Sequence, residues 1–112
     1  MEIRQQQSGD VAVIALTGRL TVNDQPGVLK EAVSGAVRDG AKHVLLDLSG
    51  VRYIDSTRLG EIIAAHVTVT RGGGHLRLVG TPERIMELLA IAGLDGVFER
   101  FDSVEAASAK LN

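Results

Sequence analysis

The sequence predicts an α/β fold: a small mixed, mostly parallel β-sheet with an N-terminal antiparallel strand, packed with about four helices. Three observations predict it. Short apolar runs of strand type alternate with segments whose apolar residues recur every three or four positions. Most strands are separated by ten or more residues of helical pattern, and such crossovers join parallel strands. Turn signals such as Ser8-Gly9-Asp10 and Gly72-Gly73-Gly74 stand between the segments. The element order reads ββαβαβα(β)α over a single domain, residues 1–112.

Met1 to Gln7 alternates weakly, and Ser8-Gly9-Asp10 reads as a turn. Val11 to Thr17 is a short apolar run that suits a strand covered on both faces. The two form a hairpin, with the polar first strand at a sheet edge. Gly18 to Gln25 reads as a loop. Pro26 suits a first helical residue, with Asp24 or Gln25 at the cap. Val28, Ala32 and Ala36, with Leu29, Val33 and Val37, make one apolar stripe that Gly40 terminates.

His43 to Leu48 is a second buried-type strand, and Ser49 to Asp55 returns the chain to the second helix. Leu59, Ile63 and Val67 form that helix's stripe, with Ile62 beside them. The β-branched run Val67 to Thr70 weakens its last turn, and Gly72-Gly73-Gly74 ends it. His75 to Val79 alternates as a strand. Thr81-Pro82 opens a third helix as cap and first residue. Ile85, Leu88, Leu89 and Ala92 form its buried side, and Gly93 closes it. Val97 to Phe101 reads as a short last strand, and Ser103 caps a final helix to about Lys110.

Composition excludes several function classes. Twelve Lys and Arg face fourteen Asp and Glu, a formal net charge of −2, and the basic residues never cluster. Nucleic-acid backbones and anionic membranes both call for a dense positive field. There is no cysteine, hence no disulfide, thiolate metal site or cysteine nucleophile. No apolar run approaches the roughly 18 residues needed to span a bilayer. The polar N-terminus lacks a secretory apolar region, so the expected location is cytoplasmic. The polar edge strand and small size favour a monomer.

Motifs for chemistry are sparse. Neither G-x-x-x-x-G-K-[ST] nor G-x-G-x-x-G after the first buried strand occurs. His43, His66 and His75 share no metal-ligand spacing. His43 and His75 sit at strand entries, and His66 at the margin of a helix face. Asp47 near a strand end invites comparison with a phosphoryl-accepting receiver, but the early position that would supply a magnesium-binding acidic cluster reads Leu16-Thr-Gly-Arg-Leu20. Asp47 is better read as a carboxylate that hydrogen-bonds the loop after it. No nucleophile–base pair, ligand set or acid–base pair converges, so no catalysis is expected.

The informative segment is Asp47-Leu-Ser-Gly-Val-Arg-Tyr-Ile-Asp-Ser-Thr-Arg-Leu-Gly60. Val51, Tyr53 and Ile54 are expected to tuck this loop against the domain. Asp55-Ser56-Thr57 stands where the second helix starts. One cap needs only one such side chain. Three in a row leave spare oxygens beside the unpaired N–H groups and partial positive charge of a helix N-terminus. A phosphate on Ser56 would add about −1.5 to −2 charge there. Residues alone leave plain capping and a charge switch at Ser56 both open.

This arrangement resembles the STAS-domain anti-sigma factor antagonists of bacteria over nearly the whole chain. The carriers are Asp-x-Ser-x-Val-x-Tyr-Ile-Asp-Ser-Thr-x-Leu-Gly, the early Leu16-Thr-Gly-Arg-Leu20 turn, and the late Ile91-Ala-Gly-Leu94 turn. The resemblance implies a regulatory binding module with no cofactor or metal. It would bind an anti-sigma factor that is also a serine kinase, and so release a sigma factor. Phosphorylation of Ser56 would end the binding, and a phosphatase acting on phospho-Ser56 would restore it. Asp55 and Thr57 flank that serine in the motif.

Two positions depart from the family pattern. Arg58 replaces the first glycine of the usual Asp-Ser-[Ser/Thr]-Gly-Leu-Gly. A long cation there would either obstruct a kinase tuned to glycine or bind the phosphate once made. Thr21 replaces the aspartate that usually ends the early turn. The expected partner face comprises Gly18 to Asp24, Ser49 to Asp55 and the start of the second helix, all at one end of the sheet. Arg19, Thr21, Asp24, Asp55, Thr57 and Arg58 are its candidate partner-binding residues. The alternative within the same fold is an unphosphorylated STAS subunit, a structural or interaction module of a lipid-transport or stress-signalling complex, with Ser56 as a cap and Arg58 as an interface residue.

Overall fold

The computed structural model describes residues 2–21 and 27–111. Five strands are β1 (Glu2–Ser8), β2 (Val11–Leu20), β3 (His43–Ile54), β4 (His75–Val79) and β5 (Glu99–Phe101). Four helices are α1 (Val28–Arg38), α2 (Ser56–Arg71), α3 (Glu83–Ile91) and α4 (Val104–Ser108). The sheet order is β1-β2-β3-β4-β5. β1 pairs antiparallel with β2, and every later pair is parallel. The expected hairpin, edge strand and helical crossovers are therefore present.

Alternation along the strands sorts the core. Ala12, Ile14 and Leu16 of β2, Val44, Leu46 and Leu48 of β3, and Leu76 and Leu78 of β4 point to one face. There they meet Leu29, Val33 and Ala36 of α1, Leu59, Ile62, Ala65 and Val69 of α2, and Ile85 and Leu89 of α3. The opposite face is thinner. Leu45, Val79 and Ala107 are buried, with Val11, Val13, Phe101, Val104 and Leu111 packed around them. Short α4 is the helix of this second layer, so β2 is covered fully on one face and partly on the other.

Several boundaries differ from the sequence reading, each for a physical reason. β2 continues through Gly18 to Leu20 and β3 through Ser49 to Ile54, where loops were expected. The two extensions pair with each other, ending at Leu20 opposite Ile54, with register shifts at Ala15/Thr17 and Gly18/Arg19. Each shift resets the inside–outside alternation, so the buried series runs Leu48, Val51, Ile54 and loses the period of two that marks a strand. Tyr53 is 45% exposed rather than tucked in, while Val51 and Ile54 are buried as expected. Gly50 permits the close pairing. A Cβ there would stand 2.6 Å from the Thr17 methyl.

On α2 the buried face runs Arg58, Leu59, Ile62, Ala65 and Val69. Val67, expected inside, is exposed, because the 3.6-residue period carries it past the stripe. The β-branched last turn is nonetheless helical to Arg71, and Gly73 (φ 83°) follows it. Pro82, not Thr81, holds the N-cap position of α3, and no side chain caps that helix. The Thr81 hydroxyl is buried, with no partner among the described residues. Ala92 follows α3 and is exposed. Ser103 caps α4 as expected, accepting from the Ala106 N–H at 3.0 Å. α1 begins at Val28 with Gly27 (φ 83°) at its N-cap position and no side-chain cap, not at Pro26 with Asp24 or Gln25 as cap; Asp24, Gln25 and Pro26 themselves lie outside the described residues.

Candidate functional site

The parallel pairing of β2 and β3 carries both chains to the same end of the sheet. Arg19 lies opposite Tyr53 and Leu20 opposite Ile54. The Asp55 N–H donates to the Leu20 carbonyl at 3.0 Å, so the start of α2 is tied to the end of β2. Asp55 is extended (φ −95°, ψ 173°), and its carboxylate accepts from the Arg58 N–H at 2.9 Å. It is the helix cap. The cap therefore uses the first of the three polar residues.

Ser56 is the first residue of the 16-residue helix α2. Its side chain and that of Thr57 are exposed. The serine hydroxyl stands at the positive end of the helix without being consumed by the cap. At the same end of the sheet, the Arg19 guanidinium lies over the Tyr53 ring, 4.6 Å from its centre. Arg19, Thr21, Asp55, Ser56 and Thr57 thus gather at one end of the sheet. Asp24 lies outside the described residues.

Arg58 takes a different position from the one expected on the partner face. Its side chain turns inward and is 2% exposed, the one buried charged residue among those described. Its Nε donates to the Thr21 carbonyl at 2.8 Å, and Nη1 pairs with Glu61 on the next turn of α2. A buried cation needs such partners, because removal from water is costly without them. The guanidinium neither projects beside Ser56 nor lies in solvent ready for a phosphate. Glu61 belongs to this site but was not singled out by sequence, and Tyr53, expected to pack inward, stands exposed in it. For Glu61 a signal exists, since a carboxylate three residues beyond Arg58 shares its helical face.

Elsewhere, Asp47 and the histidines have structural neighbours. The Asp47 carboxylate accepts from the Ser49 N–H and hydroxyl at 3.0 and 2.7 Å, as a carboxylate satisfying the chain that follows it would. His43 and His75 open β3 and β4 and stack on each other at 5.8 Å. His66 is half-buried and tilted against Phe98. Among the described residues, no group of three His, Asp or Glu is placed to hold a metal. No helix there is long and apolar enough to cross a membrane. A cleft of about 770 Å³ includes Asp10 and His43 at the entry end of the parallel strands and holds one carboxylate among the described residues.

A five-stranded mixed sheet, with a serine at a helix start beyond its carboxyl end, is the architecture to be placed among known domains. The family model described as "Mlab, STAS domain" matches residues 3–101, and the chain belongs to the STAS-domain family. It is similar to the anti-sigma-B factor antagonist of Bacillus subtilis, 32% identical over 94 residues, covering 84% of each chain. In structure it resembles an anti-sigma factor antagonist from Mycobacterium paratuberculosis, with a TM-score of 0.81 at 20% identity over 99% of this chain and 94% of that one. It also resembles the Bacillus cell fate determinant SpoIIAA in its phosphorylated form, with a TM-score of 0.79 at 15% identity over 99% of this chain and all of that one.

Proposed function

We propose that this chain is an anti-sigma factor antagonist. It binds an anti-sigma factor that is also a serine kinase and thereby frees a sigma factor. Phosphorylation of Ser56 ends the binding, and a phosphatase acting on phospho-Ser56 restores it. The chain works by occupying its partner, in the cytoplasm, without catalysing a reaction.

The observation that carries this reading is the division of labour at the start of α2. Asp55 caps the helix, and the adjacent Ser56 hydroxyl is exposed. A phosphate there adds about −1.5 to −2 charge at a helix N-terminus, which favours anions, so the fold tolerates it. A docked partner does not, because a new dianion in an interface brings repulsion and unrecovered desolvation. The relatives named as anti-sigma factor antagonists support the same reading.

The test is phosphorylation by the cognate kinase with ATP, followed by mass spectrometry. One phosphoryl group is expected, on Ser56. Its absence from the Ser56→Ala variant, together with loss of kinase binding by the phosphorylated wild type, supports the reading. Phosphate at another residue, or binding indifferent to phosphate, overturns it.

A further inference from the structure

We infer that Arg58 is a positioning residue that locks the end of β2 to the first turn of α2 and so fixes the surface a kinase partner reads around Ser56. The inference rests on the function proposed above for that surface. Three bonds carry it. Arg58 Nε reaches the Thr21 carbonyl at 2.8 Å, 37 residues away in sequence. Its Nη1 pairs with Glu61, and its own N–H donates to the Asp55 cap. Alongside them runs the Asp55 N–H bond to the Leu20 carbonyl. Leu20-Thr21 and Asp55 to Glu61 are thereby held as one unit.

The chemistry needs arginine. Its planar fork offers donors in different directions and keeps its charge when buried. A lysine has one ammonium to place and reaches one of the two acceptors well. An apolar side chain of similar length leaves the Thr21 carbonyl without this donor and Glu61 without its cation. Glu61 is already short of partners, since its Oε1 is buried with none among the described residues.

Inward orientation also settles what the partner meets. The surface beside Ser56 is formed by Thr57 and by Gly60, which has open space where a side chain would be. The long cation that replaces the usual glycine adds no bulk to that surface. It acts from below, through the carbonyl of the other departing residue, Thr21.

The test compares wild type with Arg58→Lys, Arg58→Met and Glu61→Gln, each checked for folding by circular dichroism. Hydrogen exchange of the Asp55 amide in the free proteins reads the lock directly. Steady-state phosphorylation by the cognate kinase reads its consequence. Loss of a hydrogen bond to a charged group predicts exchange about tenfold faster in Arg58→Met. By the same reasoning KM for this protein as substrate rises about tenfold, with kcat within twofold. Arg58→Lys is expected to fall between Arg58→Met and wild type, and it gives the reading should the methionine variant not fold. Glu61→Gln is expected to move both quantities the same way by less. Unchanged exchange overturns the lock. Faster exchange with unchanged KM makes Arg58 merely structural and overturns its positioning role. The two readings fail separately: a wild type that accepts no phosphate on Ser56 sinks the proposed function, whereas equal phosphorylation of wild type and Arg58→Met sinks this inference alone.

Discussion

Arg58 and Thr21, the two positions that depart from the motif pattern of the family, are the two ends of one hydrogen bond, Nε to carbonyl oxygen at 2.8 Å. One lies in the first turn of α2 and the other just beyond β2. The bond runs to the backbone of Thr21, so it does not depend on which side chain stands there. What the threonine changes is the charge of the surface, where an aspartate would add a carboxylate close to a cation already paired with Glu61. The two departures thus belong to one local arrangement at the foot of the candidate partner face.

Ser56→Ala is expected to leave stability within about 0.5 kcal/mol of wild type, since an exposed side chain outside the cap contributes little. Ser56→Glu places a negative charge in the first turn and should raise stability by about 0.3–1 kcal/mol at low salt. Urea unfolding of the three proteins measures both. A large loss in Ser56→Ala would mean that the serine, not Asp55, is the working cap.

Asp55→Ala removes the side chain that accepts from the Arg58 N–H at 2.9 Å. A loss of about 0.5–2 kcal/mol is expected, the usual range for an N-cap. Asp55→Asn should recover most of it, because an amide oxygen accepts the same bond. Midpoints of chemical unfolding decide the order of the three.

Gly50→Ala drives a Cβ to 2.6 Å from the Thr17 methyl and 3.3 Å from the Leu16 carbonyl oxygen. The extended pairing of β2 and β3 has to shift, at an expected loss of about 1–3 kcal/mol for such overpacking. Thr17→Ser removes the methyl that is struck first. A double-mutant cycle should therefore show a favourable coupling, with Thr17→Ser softening the Gly50→Ala penalty. Additive losses would refute the steric account.

Tyr53→Ala and Arg19→Ala alter an exposed pair in contact over 4.6 Å. The intramolecular stacking contributes about 0.5–1 kcal/mol at such a site, so folding should change by no more than that. Binding to the proposed kinase partner should change more, because an exposed tyrosine held rigid by an arginine is the kind of residue that anchors an interface. Affinity lost at least tenfold by titration calorimetry is the expected result for Tyr53→Ala, and unchanged affinity would remove this pair from the partner face.

The fold was legible because its signals are local. The short apolar runs Val11 to Thr17 and His43 to Leu48, the four-residue spacings in α1, and Ser103 at the start of α4 each speak for themselves. The outer ends of β2 and β3 were not legible. Ser49, Gly50 and Arg52 read as loop residues, and what makes them strand is a partner 30 or more residues away with two register shifts. Val67 was misplaced for a related reason. Which helical stripe is buried depends on how the helix rolls against the sheet, and Ala65 and Val69 won that contact.

Sequence by itself determined the layer architecture, the mixed topology and the candidacy of Asp55-Ser56-Thr57, because hydrophobic period, crossover length and capping chemistry are written in neighbouring residues. Tertiary structure decided which of the three is the cap and which is exposed, and that Arg58 points into the protein rather than toward a partner. Those outcomes turn on where Leu20 and Thr21 put their carbonyls. An arginine goes where acceptors can replace its lost water, and only the folded chain brings those acceptors to it.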